Sequence, residues 1–274
     1  MTMRRRRKRL AVSVQGCKLF DCHISNASSV HPASAVYNWL EAAPSMAPST
    51  SKIATARLQL LQRVMEGSSK KLHIRQYDPA DLEAVMHICR VTAHPSAGHE
   101  PAISIVPLIF ALPYVLLYPE YTFVLDSGSG DCVGYCLAVP CTATYLQRYK
   151  SEYLPTLDRT RYPSPPPIPG LVAGNEIERW PDLLEDYPAH LHIDILPDFQ
   201  AMGGGRRLMA ELMKKLNADR VRGIHLMKPG ENKGAEIFYG HVGFERYPVV
   251  MDGGESGEIG RKAGGCVCMV QKSS

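Results

Sequence analysis

The sequence lacks an apolar run long enough to cross a bilayer. Residues 102–118 come closest, with 17 uncharged and mostly apolar residues, but a transmembrane helix needs about 20. Pro107 and Pro113 interrupt this stretch, so we expect a buried helix with kinks instead of a membrane span. The Arg-rich run at 4–9 is not followed by a sustained apolar segment, and we therefore expect no secretory signal peptide and no membrane partner.

Two kinds of ligand motif are also missing. The eight cysteines form no C-x-x-C pair, which argues against a zinc site, and we expect no metal. Cys132 and Cys136 lie in an apolar, strand-like run and are predicted to be buried reduced thiols, which favours an intracellular compartment. There is no Walker lysine motif and no G-x-G-x-x-G after the first strand, so neither a P-loop nor a Rossmann site is indicated.

Positive charge is concentrated at the start of the chain. Residues 1–70 carry eleven basic and three acidic side chains, whereas the remainder has a net charge of −4. This distribution argues against a nucleic-acid-binding core, and any weak binding of that kind falls to the tail. The basic run is compatible with a nuclear import signal, with a mitochondrial transit peptide or with a solvated tail that carries no targeting signal. We expect a cytoplasmic or nuclear protein, with mitochondrial import as the alternative.

Composition and periodicity divide the chain into a tail and one domain. Residues 1–70 are predicted to be mostly disordered, and residues 71–274 to be folded. In the folded part, 72–77 alternates as a strand, Asp78-Pro79 begins a helix, and strands 121–126 and 132–140 form a hairpin. Residues 141–188 are predicted to be an insertion that begins as a helix. Its five prolines within 163–169 indicate a stiff connector or a ligand of an SH3-like module.

The stretch 189–247 carries the most information. Its pattern predicts strand 191–196, helix 205–217, strand 223–227, helix 233–241 and a strand that starts at Phe244, and Cys266–Gln271 is predicted as an edge strand. A glycine-rich turn at 200–205 enters the first of these helices. Its glycines let the backbone approach a bulky ligand, and the free N–H groups of a helix N-terminus suit a phosphate or pyrophosphate.

The arrangement of that turn resembles the GCN5-related N-acetyltransferase (GNAT) superfamily. Gln-x-x-Gly-x-Gly follows a strand that ends in Leu196-Pro197, and Asn232 and Tyr239 occur at the family's positions. The resemblance implies an α+β fold with a mixed, mostly antiparallel sheet and helices on both faces, and acetyl-CoA as co-substrate. It assigns the pyrophosphate to the turn and the pantetheine arm to the backbone at the strand end. The implied cofactor-binding residues are Ile195, Leu196, Gln200, Gly203, Gly204, Gly205, Arg206 and Asn232.

A closer resemblance covers about residues 72–250. The segments 121–126, 133–135 and 192–194 are similar to the acetyltransferase-like domain of eukaryotic O-GlcNAcase and its stand-alone microbial relatives. That domain is often regarded as lacking the cofactor-binding features of the family, whereas this chain keeps the full Gln-x-x-Gly-x-Gly pattern. The chain therefore looks more like a competent enzyme, and the resemblance implies no glycosidase activity.

Candidate catalytic residues follow from the resemblance and from strand alternation. The family places a tyrosine near the sulfur of the thioester, so Tyr239 is the candidate acid; the alternative is a core aromatic residue. His192 and Asp194 share one strand face. A buried carboxylate is costly unless it is paired or useful, so Asp194 is our first choice for the base and His192 the second. A purely structural hydrogen-bond acceptor is the alternative for Asp194.

The resemblance implies an N-acetyltransferase whose primary-amine substrate attacks acetyl-CoA directly in a ternary complex. A catalytically inactive acyl-CoA-binding or scaffold protein with the same fold is the alternative. The residues do not choose between a protein lysine, an amino sugar and another small amine as acceptor.

Overall fold

The computed structural model of the chain describes residues 71–157, 180–260 and 265–273. The predictions for the tail at 1–70 and for the proline-rich segment at 163–169 lie outside these ranges. None of the helices within them is both long and apolar enough to span a membrane.

A single mixed sheet holds the described strands. Their bounds are β1 His73–Gln76, β2 Thr122–Asp126, β3 Cys132–Val139, β4 Ala189–Ile195, β5 Gly223–Pro229, β6 Glu245–Arg246, β7 Glu258–Ile259 and β8 Cys266–Lys272. The order is β1-β2-β3-β4-β5-β8-β6, with β7 also paired to β8. Within the described ranges β4 and β5 are parallel and the other pairs are antiparallel. The predicted mixed, mostly antiparallel sheet is confirmed.

Helices cover both faces of the sheet, as predicted. Their bounds are α1 Leu82–Val91, α2 Ala102–Phe110, α3 Leu112–Leu117, α4 Thr142–Arg148, α5 Pro181–Asp186, α6 Gly204–Ala218 and α7 Lys233–His241. Neighbouring residues of a strand point to opposite faces. On β4, His192 contacts Tyr114 of α3, whereas Ile195 lies beneath Gly205 of α6. Helix α3 and helix α6 therefore lie on opposite sides of the sheet.

The helix start predicted at Asp78 is present. The Asp78 side chain accepts a hydrogen bond from the Ala80 N–H, and Asp81 accepts one from the Asp78 N–H, which makes a reciprocal capping box. The first turn is a 3₁₀ turn, and α1 begins only after it. Arg75 of β1 donates to both Asp81 and Asp126, so this cap is tied to the first two strands.

The apolar stretch 102–118 forms two buried helices, where the sequence predicted one kinked helix. The backbone leaves the helical region at Ala111, between α2 and α3. Pro107 is accommodated inside α2, and Pro113 is the second residue of α3. At that position the missing proline N–H would have no helical partner, so the residue favours a new helix start.

The strand predicted at 266–271 is interior, and its prediction as an edge strand is wrong. β8 pairs with β5 on one side and with β6 and β7 on the other. Its residues 266–270 are all buried. A continuous apolar run of this kind is typical of a strand that is covered on both faces.

Candidate active site

Strands β4 and β5 part along their length and leave an opening between them. They are in register only at Ala189 with Ile224 and at His190 with His225. β4 continues to Ile195 and β5 to Pro229 without further pairing between these two described strands. The unpaired part of β4 leaves strand backbone for a ligand to pair with, at the strand end to which the resemblance assigns the pantetheine arm.

Only one of the two predicted pantetheine-binding residues presents its N–H to this opening. The Leu196 N–H donates to the Val133 carbonyl at 3.0 Å, and the Leu196 carbonyl accepts from the Phe199 N–H at 2.9 Å. Because hydrogen-bonding directions alternate along a strand, the N–H of Ile195 points away from β3 and into the opening. The backbone of Leu196 is already used within the protein, so its predicted pairing with the pantetheine arm conflicts with its observed hydrogen bonds.

Gln200 supports the strand end from inside the protein. Its side chain is buried and its Nε2 donates to the Ile195 carbonyl at 2.7 Å. This bond occupies the Ile195 carbonyl, which alternation also directs into the opening. Gln200 therefore holds the edge of the opening, and its amide N–H is not directed at a ligand.

The three glycines of the turn have three different neighbourhoods. Gly203 adopts φ 81°, where side chains are strained, and a Cβ there would meet no atom of the described protein within 4 Å. A Cβ on Gly204 would lie 2.5 Å from Cδ2 of Leu125, and one on Gly205 would lie 3.1 Å from the Phe238 ring. Gly204 and Gly205 thus allow the helix to pack closely on the protein, and only Gly203 lies beside open space.

The N-terminus of α6 leaves several N–H groups available. The Arg207 N–H makes the first bond of the helix, to the Gly203 carbonyl at 3.3 Å, so the N–H groups of Gly204, Gly205 and Arg206 have no carbonyl partner within the helix. No side chain of the described residues caps this end. Arg206 is exposed in the first turn, while Arg207 donates to the Leu72 carbonyl at 2.6 Å. The arrangement suits an anion.

Asn232 lies at the start of α7. Its Oδ1 accepts a hydrogen bond from the Ala235 N–H at 3.0 Å, so it is the N-cap of that helix. Its predicted contact with the cofactor is compatible with this cap and stays a prediction.

Tyr239 carries a hydroxyl that is buried without a hydrogen-bond partner among the described residues. The side chain is fully buried between the rings of Phe238 and Phe244. Burial, together with the nearby Asp194 and Cys136, raises the pKa of Tyr239 well above its usual value. An unsatisfied buried hydroxyl costs about 1–3 kcal/mol. Tyr239 is therefore a neutral proton donor that has no acceptor in the described protein.

Asp194 is fully buried in the middle of β4. Its Oδ2 accepts a hydrogen bond at 2.8 Å from the hydroxyl of Tyr135, the residue directly opposite on β3. Burial and then the Asp194 charge raise the pKa of Tyr135 well above its usual value, so the phenol remains a donor to the carboxylate. The sequence did not identify Tyr135 as the partner of Asp194.

His192 lies on the same face of β4 as Asp194 and is only partly buried. Its Nε2 is 3.0 Å from the Tyr114 hydroxyl, and its ring packs edge-on against Phe110 of α2. The same hydroxyl lies 2.8 Å from Nε2 of His190. Sequence reasoning missed Tyr114 and His190, although the alternation of His190, His192 and Asp194 along β4 was a signal for the second of them.

No cluster of His, Cys, Asp and Glu within the described ranges has the grouping expected of a metal site. Cys132 and Cys136 are buried free thiols, as predicted. Burial raises the pKa of Cys132 to about 12, which keeps its thiol protonated and unreactive.

Comparison with known proteins places these features in a family. No protein-family model matches the chain. Among solved structures, SsHAT is 32% identical with a TM-score of 0.59, and the match covers 74% of this chain and 99% of SsHAT. Naa20 of Chaetomium thermophilum, solved with a bisubstrate analogue, is 19% identical (TM-score 0.42; 73% and 86% covered). A phosphinothricin acetyltransferase of Sinorhizobium meliloti, solved with AcCoA, is 15% identical (TM-score 0.43; 74% and 89% covered).

The parted parallel strands, the glycine turn that enters α6 and the buried tyrosine on α7 together define an acetyltransferase fold. The chain belongs to the GNAT superfamily, because it matches essentially the whole of SsHAT at 32% identity. Acetyl-CoA is the co-substrate of this family. The closer resemblance to the O-GlcNAcase domain is not needed for this assignment.

Proposed function

We propose that the protein transfers the acetyl group of acetyl-CoA to a primary amine, which attacks directly in a ternary complex. The observation that carries this proposal is the opening between β4 and β5. It begins after His190 and His225, and the unpartnered hydroxyl of Tyr239 is buried close to Asp194 of β4. A ligand with an extended polar arm, a terminal anion and a sulfur would satisfy the groups that surround this opening.

The end of β4 and the N-terminus of α6 bind different parts of the ligand. The N–H of Ile195 is available to pair with the pantetheine arm, and Gln200 fixes the position of that strand end. The N–H groups of Gly204, Gly205 and Arg206 are available for the pyrophosphate, and the exposed Arg206 side chain adds positive charge. Asn232 caps the following helix and could contact the same ligand.

Acetyl-CoA supplies an activated acetyl group as a thioester. Tyr239 holds its proton because its pKa is well above the usual value, so it can donate that proton to a sulfur that becomes basic as the C–S bond breaks. It has no competing acceptor among the described residues. This gives Tyr239 the role of general acid.

The amine must lose its extra proton before it attacks. This requires a proton acceptor for the amine, in addition to the proton donor for the sulfur. Asp194 and His192 share the face of β4 that looks toward α2 and α3. The Asp194 carboxylate already accepts the Tyr135 proton through one oxygen. His192 is the more exposed of the two. Both are candidates for the base, and the variants Asp194→Asn and His192→Gln distinguish between them.

The test uses the full chain. Calorimetric titration with CoA and with acetyl-CoA measures binding, and release of CoA thiol is then followed with a lysine-containing peptide, an amino sugar and a small alkylamine as acceptors. We expect saturable binding and turnover with at least one class of amine. Binding without turnover on any of the three would favour the inactive acyl-CoA-binding alternative, and absence of binding would reject the proposal.

A further inference from the structure

A continuous chain of hydrogen bonds leads from the backbone of Pro188 to the ring of His192. Thr142 Oγ1 donates to the Pro188 carbonyl at 2.8 Å and lies 2.7 Å from Nδ1 of His190. Nε2 of His190 is 2.8 Å from the Tyr114 hydroxyl, which is 3.0 Å from Nε2 of His192. The hydrogen bonds join α4, β4 and α3. The side chains of Thr142, His190 and Tyr114 are buried, whereas His192 is partly buried.

In the first half of this hydrogen-bond chain, donors and acceptors can be assigned in only one way. The single hydroxyl proton of Thr142 is used by the Pro188 carbonyl, so Oγ1 must accept a proton from Nδ1 of His190. Burial, together with the neighbouring His225 and His192, keeps the pKa of His190 well below its usual value. The ring is therefore neutral, and its Nε2 carries a lone pair.

The second half follows from the first. The lone pair on Nε2 of His190 accepts the hydroxyl proton of Tyr114. Burial raises the pKa of Tyr114, so this phenol stays protonated and has no second proton to give. Its oxygen must then accept the proton on Nε2 of His192. In the neutral ring of His192, Nδ1 consequently carries the lone pair.

We infer that this chain fixes His192 as the Nε2–H tautomer, so that Nδ1 accepts the proton of the substrate ammonium, and that Tyr114 and His190 are positioning residues for this base. The inference rests on the proposed function and decides between its two candidate bases. Asp194, two residues along the same strand face, is then the buried anion that stabilises the imidazolium when it forms.

The protons of the complete reaction balance. The ammonium loses one proton to Nδ1 of His192, and this proton is released to solvent before the next cycle. The neutral amine forms the C–N bond as the C–S bond breaks, and the sulfur receives the proton of Tyr239. The amide nitrogen then loses its second proton to solvent, and Tyr239 takes up one proton from solvent, so the complete reaction releases one proton.

The titratable groups around the hydrogen-bond chain and Asp194 come from β4 and from four neighbouring elements. They are Asp194 and His190 on β4, Tyr114 on α3, Tyr135 on β3, Tyr145 on α4 and His225 on β5. The pKa values of the three tyrosines are raised by burial, and those of His190 and His225 are lowered by burial. Loss of the acidic limb of the pH–rate profile in a variant that lacks the imidazole would assign that limb to His192.

The tautomer can be measured without any enzyme assay. Nitrogen-15 NMR of the imidazole rings in the full-length wild-type protein, above pH 8, should show His192 with its proton on Nε2. Tyr114→Phe, which keeps the ring and removes the hydroxyl, should give a mixture of tautomers. Tyr118→Phe is the matched control, because it removes a buried hydroxyl near the same aromatic residues but outside the chain. It should leave the His192 signal unchanged.

Kinetics test the role of the tautomer. Tyr114→Phe should lower kcat by about tenfold or more with little change in the KM for acetyl-CoA, since positioning of the base acts on the chemical step. His192→Gln should remove the acidic limb of the pH–rate profile, whereas Asp194→Asn should lower kcat and keep that limb.

Each outcome has a definite meaning. A proton on Nδ1 of His192 in the wild type would overturn the inference, whether or not Tyr114→Phe folds. Loss of the acidic limb in Asp194→Asn, with the limb retained in His192→Gln, would overturn it and return the role of base to Asp194. Finding the Nε2–H tautomer in a protein that acetylates no amine would reject His192 as a catalytic base by rejecting the proposed function, and would leave only the hydrogen-bond chain established.

Discussion

His190 of β4 and His225 of β5 are the last directly opposed residues of the two parallel strands. Their rings lie 5.7 Å apart and both are buried. Burial lowers the pKa of His225 to about 4, although the bond from its ring to the Tyr187 carbonyl acts in the opposite direction. Two neutral histidines thus lie at the closed end of the opening, and protonation of either would place a charge in the core beneath the candidate active site.

The first prediction concerns how the free energy of unfolding depends on pH because of His225. A histidine that titrates near 6.5 when unfolded and near 4 when folded takes up its proton preferentially in the unfolded state. Its stabilising contribution is therefore complete above about pH 6.5 and is lost as the pH falls toward 4. In His225→Gln, the unfolding free energy should depend less on pH over this window, by up to ~1.4 kcal/mol per pH unit. Urea unfolding at pH 7.5, 6.5, 5.5 and 4.5 measures it. Parallel curves for the two proteins would contradict the shift.

The sequence predicted features that repeat along the chain and missed those that join distant residues. The helix at 233–241 and the shared face of His192 and Asp194 follow from periodicity, which a single segment contains. The bonds from Tyr114 to His190 and His192 span 76 and 78 residues, and no local pattern encodes such a pairing. The interior position of β8 was missed for the same reason, since a strand's neighbours depend on the whole sheet.

The glycine turn illustrates a second limit. The sequence predicted that the glycines at 203–205 let the backbone approach a bulky ligand, and this stays a prediction. The structural reasons for glycine differ by position, because Gly203 needs a left-handed backbone whereas Gly204 and Gly205 meet Leu125 and Phe238. Those two neighbours come from β2 and α7, so the cause could be read only from the tertiary structure.

The second prediction concerns an ion cluster beneath α7. Burial alone would raise the pKa of Glu236, but hydrogen bonds from Arg246 and Lys228 outweigh it and lower the pKa to about 2. The carboxylate lies 2.8 Å from Nε of Arg246 and 3.2 Å from Nζ of the fully buried Lys228. Glu236→Gln should therefore be less stable than the wild type above about pH 4.5, and the difference should shrink as the pH falls toward 2.

Thermal unfolding between pH 7 and 2.5 tests this dependence on Glu236. Glu211→Gln is the control, because Glu211 lies on α6 and its Oε2 is 3.9 Å from the exposed Lys214. Its stability should stay close to that of the wild type throughout, as is usual for an exposed pair. A loss in Glu236→Gln that does not change with pH would show that packing, and not charge, is responsible.

The third prediction separates backbone strain from helix propensity. Gly203 and Gly240 both have open space where a Cβ would be, but only Gly203 has a positive φ. Gly203→Ala should lower the unfolding free energy by about 1 kcal/mol, because alanine is strained in the left-handed region. Gly240→Ala, in α7, should raise it by up to about 1 kcal/mol. Urea unfolding of both variants measures the difference, and equal effects would rule out strain as the reason for Gly203.

The last prediction concerns the hydroxyl of Tyr239. Tyr239→Phe keeps the ring between Phe238 and Phe244 and removes only the proton donor. If that donor protonates the leaving sulfur, kcat should fall by ~10²–10⁴-fold while the affinity for acetyl-CoA changes little. The free energy of unfolding should be unchanged or higher by about 1 kcal/mol. The hydroxyl has no hydrogen-bond partner in the described protein, so its removal also removes a desolvation cost that no hydrogen bond offsets. Amine acetylation rates, acetyl-CoA titration and urea unfolding are measured on the same preparation. A variant that loses stability and keeps its kcat would make Tyr239 a residue of the core and return the role of acid to another group.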